Sequence, residues 1–285
     1  MTWRNSIGAL VALVVLTLAG CASGPTPKEA AVSNLLAAGE AAELRGDYDQ
    51  ALVQYVQVLG TDPDNVEAHF RIGRSHAALG DEPVAREAFQ QALAKQPGHV
   101  GATEGLGLLS LEQGQHDVAA SLLHKALAKD QSRWRSFNGL GVLADLEGKH
   151  ALALSYFGAA QALRPGDSVL VNNTGYSRYL AGDLKGAKQD FESAIAIDGK
   201  NEKAWSNLGL VFARMRNYPK AVSTLEHIMT AKEARYSIGY IAMLDGKLEA
   251  AEDLFKDAIR LSSSYDPAAQ AALKRVHEEQ QRRDR

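Results

Sequence analysis

WRSFNGLGVLADLEGKHALALSYFGAAQALRPGD, residues 134–167, is one unit of a pattern that organises the whole chain. Its Gly141 belongs to a series (Gly39, Gly73, Gly107, Gly141, Gly175 and Gly209) whose members stand 34 residues apart. Twelve residues after each comes an alanine: Ala51, Ala85, Ala119, Ala153, Ala187 and Ala221. Four further on sits a large apolar residue: Tyr55, Phe89, Leu123, Phe157, Phe191 and Leu225. Gly239, Ala251 and Phe255 repeat the same offsets in a seventh unit. Each marker glycine lies inside an apolar-periodic segment, where it costs about 1 kcal/mol relative to alanine. A cost borne seven times points to a neighbouring helix that approaches too closely for a side chain, with the alanine as its facing contact. A second glycine (Gly46, Gly80, Gly114, Gly148, Gly182, Gly246) fits the left-handed residue that ends the first helix. Pro63, Pro97 and Pro165 are placed to stop the second helix.

The pattern resembles the tetratricopeptide repeat, a helix–turn–helix unit that stacks into a right-handed superhelix. The resemblance implies an all-α solenoid of about seven repeats over residues 32–261. Its units run 32–65, 66–99, 100–133, 134–167, 168–201, 202–231 and 232–261. Asp266-Pro267 then opens a polar helix within 262–285 that caps the last exposed face. The sixth unit departs from the pattern. Arg216-Asn217 replaces the turn glycine, asparagine being the residue that tolerates the left-handed conformation. Gly209 to Gly239 is also one helical turn short, so its second helix is expected to be shortened and the stacking of units six and seven altered.

The other end of the chain carries a different signal. Arg4 is followed by an apolar run from Ile7 to Gly20, about 21 Å long as a helix, short for a hydrocarbon core of about 30 Å. That length suits a secretory signal over residues 1–20. Leu18-Ala19-Gly20-Cys21 resembles a bacterial lipobox and holds the chain's one cysteine. The resemblance implies that the Cys21 thiol carries a diacylglyceryl group and that Cys21 becomes the first mature residue, with several acyl chains as anchor. Residues 21–31, with Gly24, Pro25 and Pro27, read as a tether. Ala22 in place of an aspartate points to the outer membrane, with the solenoid facing the periplasm.

Composition excludes some functions. Hydrophobic content of 46%, charged content of 23% and a net charge of −3 describe an ordinary folding chain without the basic footprint of a nucleic-acid binder. No catalytic motif is found and no metal or cofactor is expected. His277-Glu278-Glu279-Gln280-Gln281 has glutamine where a zinc motif needs its second histidine, and the other histidines lack ligand spacing. What remains is surface. In such arrays the first helices line a concave groove for a partner segment. By position that groove includes Phe70, Arg74, Glu104, Arg135, Asn138, Asp145, Asn172, Tyr176, Tyr179, Lys203, Arg214, Tyr236 and Tyr240. Asn138 and Asn172 could pair with a partner's backbone, and Tyr176 and Tyr179 could form one patch. Leu36 and Glu40 stand where the chaperone-tail clamp has lysine and asparagine, so a C-terminal acidic tail is not the expected partner.

Trp134-Arg135-Ser136-Phe137-Asn138-Gly139-Leu140-Gly141-Val142, continuing to Asp145-Leu146-Glu147-Gly148-Lys149-His150, is similar to the middle repeat of TadD proteins. Asn172-Asn173 before Gly175 and Ser237-Ile238-Gly239-Tyr240 agree with it. TadD proteins are repeat lipoproteins of the tight-adherence (Flp) pilus assembly system. The resemblance implies a partner among pilus-assembly components, the secretin above all, and a role in its assembly or outer-membrane placement. Three alternatives share the repeat consensus: a type IV pilus pilotin, an adaptor for murein hydrolases and a scaffold for exopolysaccharide export.

Overall fold

The computed structural model describes residues 26–283. Residues 1–20, read above as a signal, and Cys21 lie outside the described residues. Among the described residues fifteen α-helices follow one another, the first fourteen in antiparallel pairs: α1 (Pro27–Leu44) with α2 (Tyr48–Thr61), α3 (Val66–Ala78) with α4 (Glu82–Lys95), and α5 (Val100–Glu112) with α6 (His116–Lys129). Next come α7 (Trp134–Leu146) with α8 (His150–Leu163), α9 (Ser168–Leu180) with α10 (Leu184–Ile197), and α11 (Glu202–Arg214) with α12 (Tyr218–Leu225). The last pair, α13 (Ala231–Leu244) and α14 (Leu248–Leu261), is covered by α15 (Pro267–Arg283). Each pair also packs on the next, so the chain is the expected stack of helix–turn–helix units closed by a C-terminal helix.

The marker glycines are explained by the large apolar side chain sixteen residues later. A Cβ on Gly73 would lie 2.6 Å from Phe89 Cδ1, one on Gly141 2.5 Å from Phe157 Cε1, and one on Gly209 2.7 Å from Leu225 Cδ2. The missing side chain thus makes room for a side chain on the unit's own second helix, where close approach of a neighbouring helix was expected. Those residues are the interior: Tyr55, Phe89, Leu123, Phe157, Phe191 and Phe255 are at most 1% exposed, and the seven alanines are fully buried. Burying each ring contributes about 2–3 kcal/mol, which offsets the glycine's helical cost.

The turns share one hydrogen-bond pattern. In the first, Gly46 N–H donates to Glu43 O and Asp47 N–H donates to Ala42 O, satisfying carbonyls at the end of α1. Gly46 has φ 77°, where L-residues with a Cβ are strained. In the sixth unit Arg216 takes this role, at φ 59°. Asn217, expected there as the tolerant residue, instead caps α12 by accepting a hydrogen bond from Lys220 N–H. Two demands met at adjacent positions, and the cap took the residue with a short polar side chain.

Pro63, Pro97 and Pro165 stand two residues beyond α2, α4 and α8. Asp62, Gln96 and Arg164 before them are extended, at φ −137°, −134° and −139°. Asp130 and Asp198 adopt the same backbone, at φ −147° and −138°, with no proline two residues beyond the helix. The prolines therefore reinforce a stop that the repeat makes without them.

Two boundaries differ from expectation. The stretch read as tether is helical from Pro27, because Thr26 and Glu29 form a reciprocal cap and Pro27 occupies the first turn, where its missing N–H costs nothing. In the sixth unit α12 has 8 residues against 14 in α10 and α14. A turn through Glu226–Met229 replaces the lost helix, and His227 stacks on Trp205 with ring centroids 3.9 Å apart. Thr230 and Glu233 then cap α13 reciprocally. At the end, Ala269, Ala272 and Val276 of α15 are buried, the latter two in one cluster with Phe255 of α14, while its charged face stays outside.

Candidate partner-binding groove

The first helices of successive units lie side by side, and two kinds of position emerge from their contacts. Residues turned toward the next unit form a seam; residues turned away from it are free. At the first seam, the carboxylate of Glu43 is 4% exposed and accepts from Arg71 Nη1 at 3.0 Å, Arg74 Nη2 at 3.1 Å and Ser75 Oγ at 3.2 Å. Arg71 also reaches Glu67 at 2.5 Å and Glu40 at 3.2 Å. These carboxylates hold its guanidinium above its ordinary pKa despite the opposing effect of burial, the largest single influence. Glu67 is brought down to about 2, by His99 and by Arg71, against its burial. His99 Nε2 is 3.9 Å from Glu67, long for a hydrogen bond, so Arg71 at 2.5 Å is the stronger partner.

The motif recurs further along. Glu104 is buried and accepts from Ser136 N at 3.1 Å and Ser136 Oγ at 2.8 Å, with Arg133 Nη1 at 3.7 Å. Asp145 accepts from Ser177 Oγ at 2.8 Å and lies 2.8 Å from His150 Nδ1. From α7 to α11 the seam also carries amides, beside the Asp145 joint: Asn207 Nδ2 donates to Asn172 Oδ1 at 2.9 Å, Asn172 Nδ2 to Asn173 Oδ1 at 3.3 Å, and Asn173 Nδ2 to Asn138 Oδ1 at 2.8 Å.

The thirteen residues assigned to the groove by position therefore divide. Phe70 is buried, 6.1 Å from the Phe89 ring and 4.8 Å from His99. Glu104 and Asn172 are buried in the seam, and Asn138 and Asp145 are half-buried there. Asn138 and Asn172, expected to meet a partner's backbone, spend their amides on neighbouring units. Tyr236 leans on Phe255 at 5.6 Å, and Arg74 is tied to Glu43 while lying 5.8 Å over the Phe70 ring. Arg135, Tyr176, Lys203, Arg214 and Tyr240 are exposed. Tyr179 is half-buried and stacks on Tyr176 with centroids 6.1 Å apart, the single patch expected of that pair.

Sequence reasoning gave no part between units to Glu43, Arg71, Ser75, Ser136, Ser177, Asn173 or Asn207. A spacing signal existed: Glu43–Ser75, Glu104–Ser136 and Asp145–Ser177 are each 32 residues apart, and Asn138–Asn173 and Asn172–Asn207 each 35. Among the described residues no three histidine, cysteine or acidic side chains gather as metal ligands, and no helix is long and apolar enough to cross a membrane.

Comparison with solved structures bears on the fold alone. The chain is similar to the Cut9–Hcn1 hetero-tetramer of the APC/C, at 18% identity and a TM-score of 0.61, over 86% of this chain. It spans about half (52%) of that structure's chain. It is also similar to Pseudomonas aeruginosa pilF, at 18% identity and a TM-score of 0.54, over 89% of this chain and 100% of the other. A tetratricopeptide-repeat protein from Parabacteroides merdae gives 14% identity and a TM-score of 0.55, over 87% and 99%. Comparison with curated protein sequences finds no match. Models of the tetratricopeptide repeat match residues 36–100, 104–168 and 232–265, and residues 169–231, with the shortened sixth unit, lie between them. A fold of this kind is typically a non-catalytic scaffold for other proteins. Repeats recognised over more than half of its length place the chain in the tetratricopeptide-repeat family.

Proposed function

We propose that the chain is a lipid-anchored periplasmic scaffold that holds a segment of a pilus-assembly partner, the secretin of a tight-adherence system, and assists its assembly at the outer membrane. One observation carries the binding part. The seams engage Glu43, Glu104 and Asn172, buried in the first helices, and leave Arg135, Tyr176, Lys203, Arg214 and Tyr240 exposed beside them. Aromatic and arginine side chains are those that dominate protein interfaces. The system and the anchor rest on the sequence: the TadD-like units around Trp134, Asn172 and Ser237, and the lipobox-like Leu18-Ala19-Gly20-Cys21.

The mechanism follows from the short connection. Helix α1 begins at Pro27, six residues after Cys21, a reach of about 20 Å fully extended. A lipid on Cys21 would hold the groove close to the membrane. A partner bound there meets its next copy at raised local concentration, which favours ring assembly.

Affinity purification of the tagged chain from detergent-solubilised envelopes, with partners identified by mass spectrometry, tests this reading. A secretin that is lost when Tyr176 and Lys203 are both changed to alanine supports it. A murein hydrolase, a type IV pilus secretin or a polysaccharide-export subunit in its place selects the corresponding alternative. Cys21→Ser is expected to leave the fold intact, release the chain from the membrane and lower piliation; normal piliation would remove the anchor from the mechanism.

A further inference from the structure

Helix α5 carries Gly101 and Gly105 one turn apart, in addition to its marker Gly107. Gly101 has no counterpart 34 residues on, and Gly105 has one in Gly139, where a Cβ would meet Leu123. Each costs about 1 kcal/mol relative to alanine inside a helix. A Cβ on Gly101 would stand 2.6 Å from Phe70 Cζ, and one on Gly105 2.5 Å from Phe89 Cζ. The bare stretch of α5 lets these rings lean across, and a cleft of about 240 Å³ opens between α3, α5 and α7. Phe70, Phe89 and Leu108 line it, and Arg74, Arg133 and Arg135 stand at its rim with Glu104 and Glu112.

The charges at that rim are not all free. Glu104 is taken by Ser136 and Arg133, Arg133 also by Asp130 at 2.8 Å, and Arg74 by Glu43. Glu112 lies within the influence of Glu82, and burial, then that neighbour, pushes its carboxyl up. Arg135 differs. Among the described residues no carboxylate lies within ion-pair distance of it. Burial and then the guanidinium of Arg74 disfavour its charge, with Arg164 adding to them, and Glu104, the acid that opposes them, is already engaged. Its guanidinium lies 4.5 Å over the Trp134 ring, with Arg164 at 4.8 Å over the same ring and tied to Asp167. The cleft thus pairs an apolar floor with one exposed, uncompensated cation.

We propose that this cleft takes an apolar side chain of a partner segment whose neighbouring residue is aspartate or glutamate, the carboxylate pairing with Arg135. This rests on the groove-binding reading above and names the sequence class it selects. An arginine offers a carboxylate two parallel N–H donors, which gives direction as well as charge. The segment is internal: the pairing needs a side-chain carboxylate and not a chain terminus.

The test uses the purified full chain in detergent and two peptides blocked at both ends, acetyl-Ser-Ala-Leu-Asp-Ala-Ser-amide and its Leu-Asn counterpart. Each carries a fluorophore, with a photoactivatable leucine analogue at the leucine in a second set. The Leu-Asp peptide is expected to bind about tenfold tighter than Leu-Asn, equivalent to about 1.4 kcal/mol, and to crosslink to α3, α5 or α7 beside the cleft. Arg135→Gln is expected to abolish the difference, with helicity unchanged by circular dichroism. Lys125→Gln, exposed on the second helix α6, is expected to keep it. Equal affinity for the two peptides, or no saturable binding at millimolar peptide, overturns the proposal. Crosslinks around Tyr176 on α9 overturn the cleft and leave the groove reading standing. Crosslinks confined to α4 or α6 overturn both.

Discussion

Between the first and second units, one buried carboxylate on Glu43 gathers Arg71, Arg74 and Ser75; between the fourth and sixth, four asparagines pass amide hydrogen bonds from helix to helix. The helices that meet are equivalent, but the two joints use different positions on them: Asp145 stands where Glu43 does, four residues after its marker glycine, and Asn138 three before it, so the α7–α9 seam carries both. The repeat therefore settles where a seam lies but not what joins it. A charged joint draws on Coulomb energy and on full occupancy of its hydrogen-bonding sites, so removing one member strands the others. A neutral joint loses little more than the bonds removed. In a solenoid, where each unit touches only its neighbours, such local differences set which boundary opens first.

The largest effect should come from breaking the charged joint. Glu43→Ala leaves Arg74 and a buried serine without their acceptor, removes one of the three carboxylates around Arg71, and should cost about 3 kcal/mol, read from urea unfolding. Cutting the amide ladder with Asn172→Ala should cost less, about 1–2 kcal/mol. Repeating both in 1 M salt sharpens the contrast. The Glu43 deficit should shrink, because its partners are partly exposed and screened, while the Asn172 deficit should hold. Equal salt response would show that the joints differ in residue type only.

Beneath the charged joint sits the one ring carrying a hydroxyl. Tyr55 Oη is buried and has no hydrogen-bond partner among the described residues, and burial, then Glu43, pushes the phenol up to about 12. The equivalent places in four later units hold Phe89, Phe157, Phe191 and Phe255. Tyr55→Phe should accordingly stabilise the chain by about 1 kcal/mol, seen as a higher Tm.

The smallest effect is on pH. Glu67 has its folded pKa depressed to about 2, so its contribution is complete above its ordinary value of 4.5 and is lost as pH falls from there toward about 2. The carboxylate is 41% exposed, so solvent screening keeps the contribution under about 1 kcal/mol. The Tm difference between the wild type and Glu67→Gln should be full at pH 6 and smaller at pH 3, closing only toward pH 2. The amide ladder has no group that titrates there, and Asn172→Ala should show the same deficit at both.

Much of the fold was legible because it rests on sterics with a fixed period. A glycine that must admit a ring and an alanine that must lie flat recur wherever the unit recurs. The end of α1 was legible for the same reason, and its start was not: Pro27 reads as a loop residue until Thr26 and Glu29 are seen to cap the helix around it. At the sixth turn, residue preference named Asn217, but the cap of α12 competed for it and Arg216 bears the left-handed backbone. The groove was legible as a face and not as individual side chains. Position alone gave Asn138 and Asn172 to a partner, whereas their partners are Asn173 and Asn207, one unit on. Comparing residues 32 and 35 apart would have exposed these pairings, since a stacked array brings such positions into contact.

The central claim is that the exposed face beside the seams holds an assembly partner. A photoactivatable amino acid placed singly at Tyr176, Lys203 or Tyr240, and at the exposed Val118 and Leu152 of the second helices, tests it in living cells with the anchor intact. The account predicts one crosslinked partner, a secretin, at the first three positions and none at the last two. Crosslinks to that partner from Val118 and Leu152, with silence at Tyr176, Lys203 and Tyr240, would contradict it.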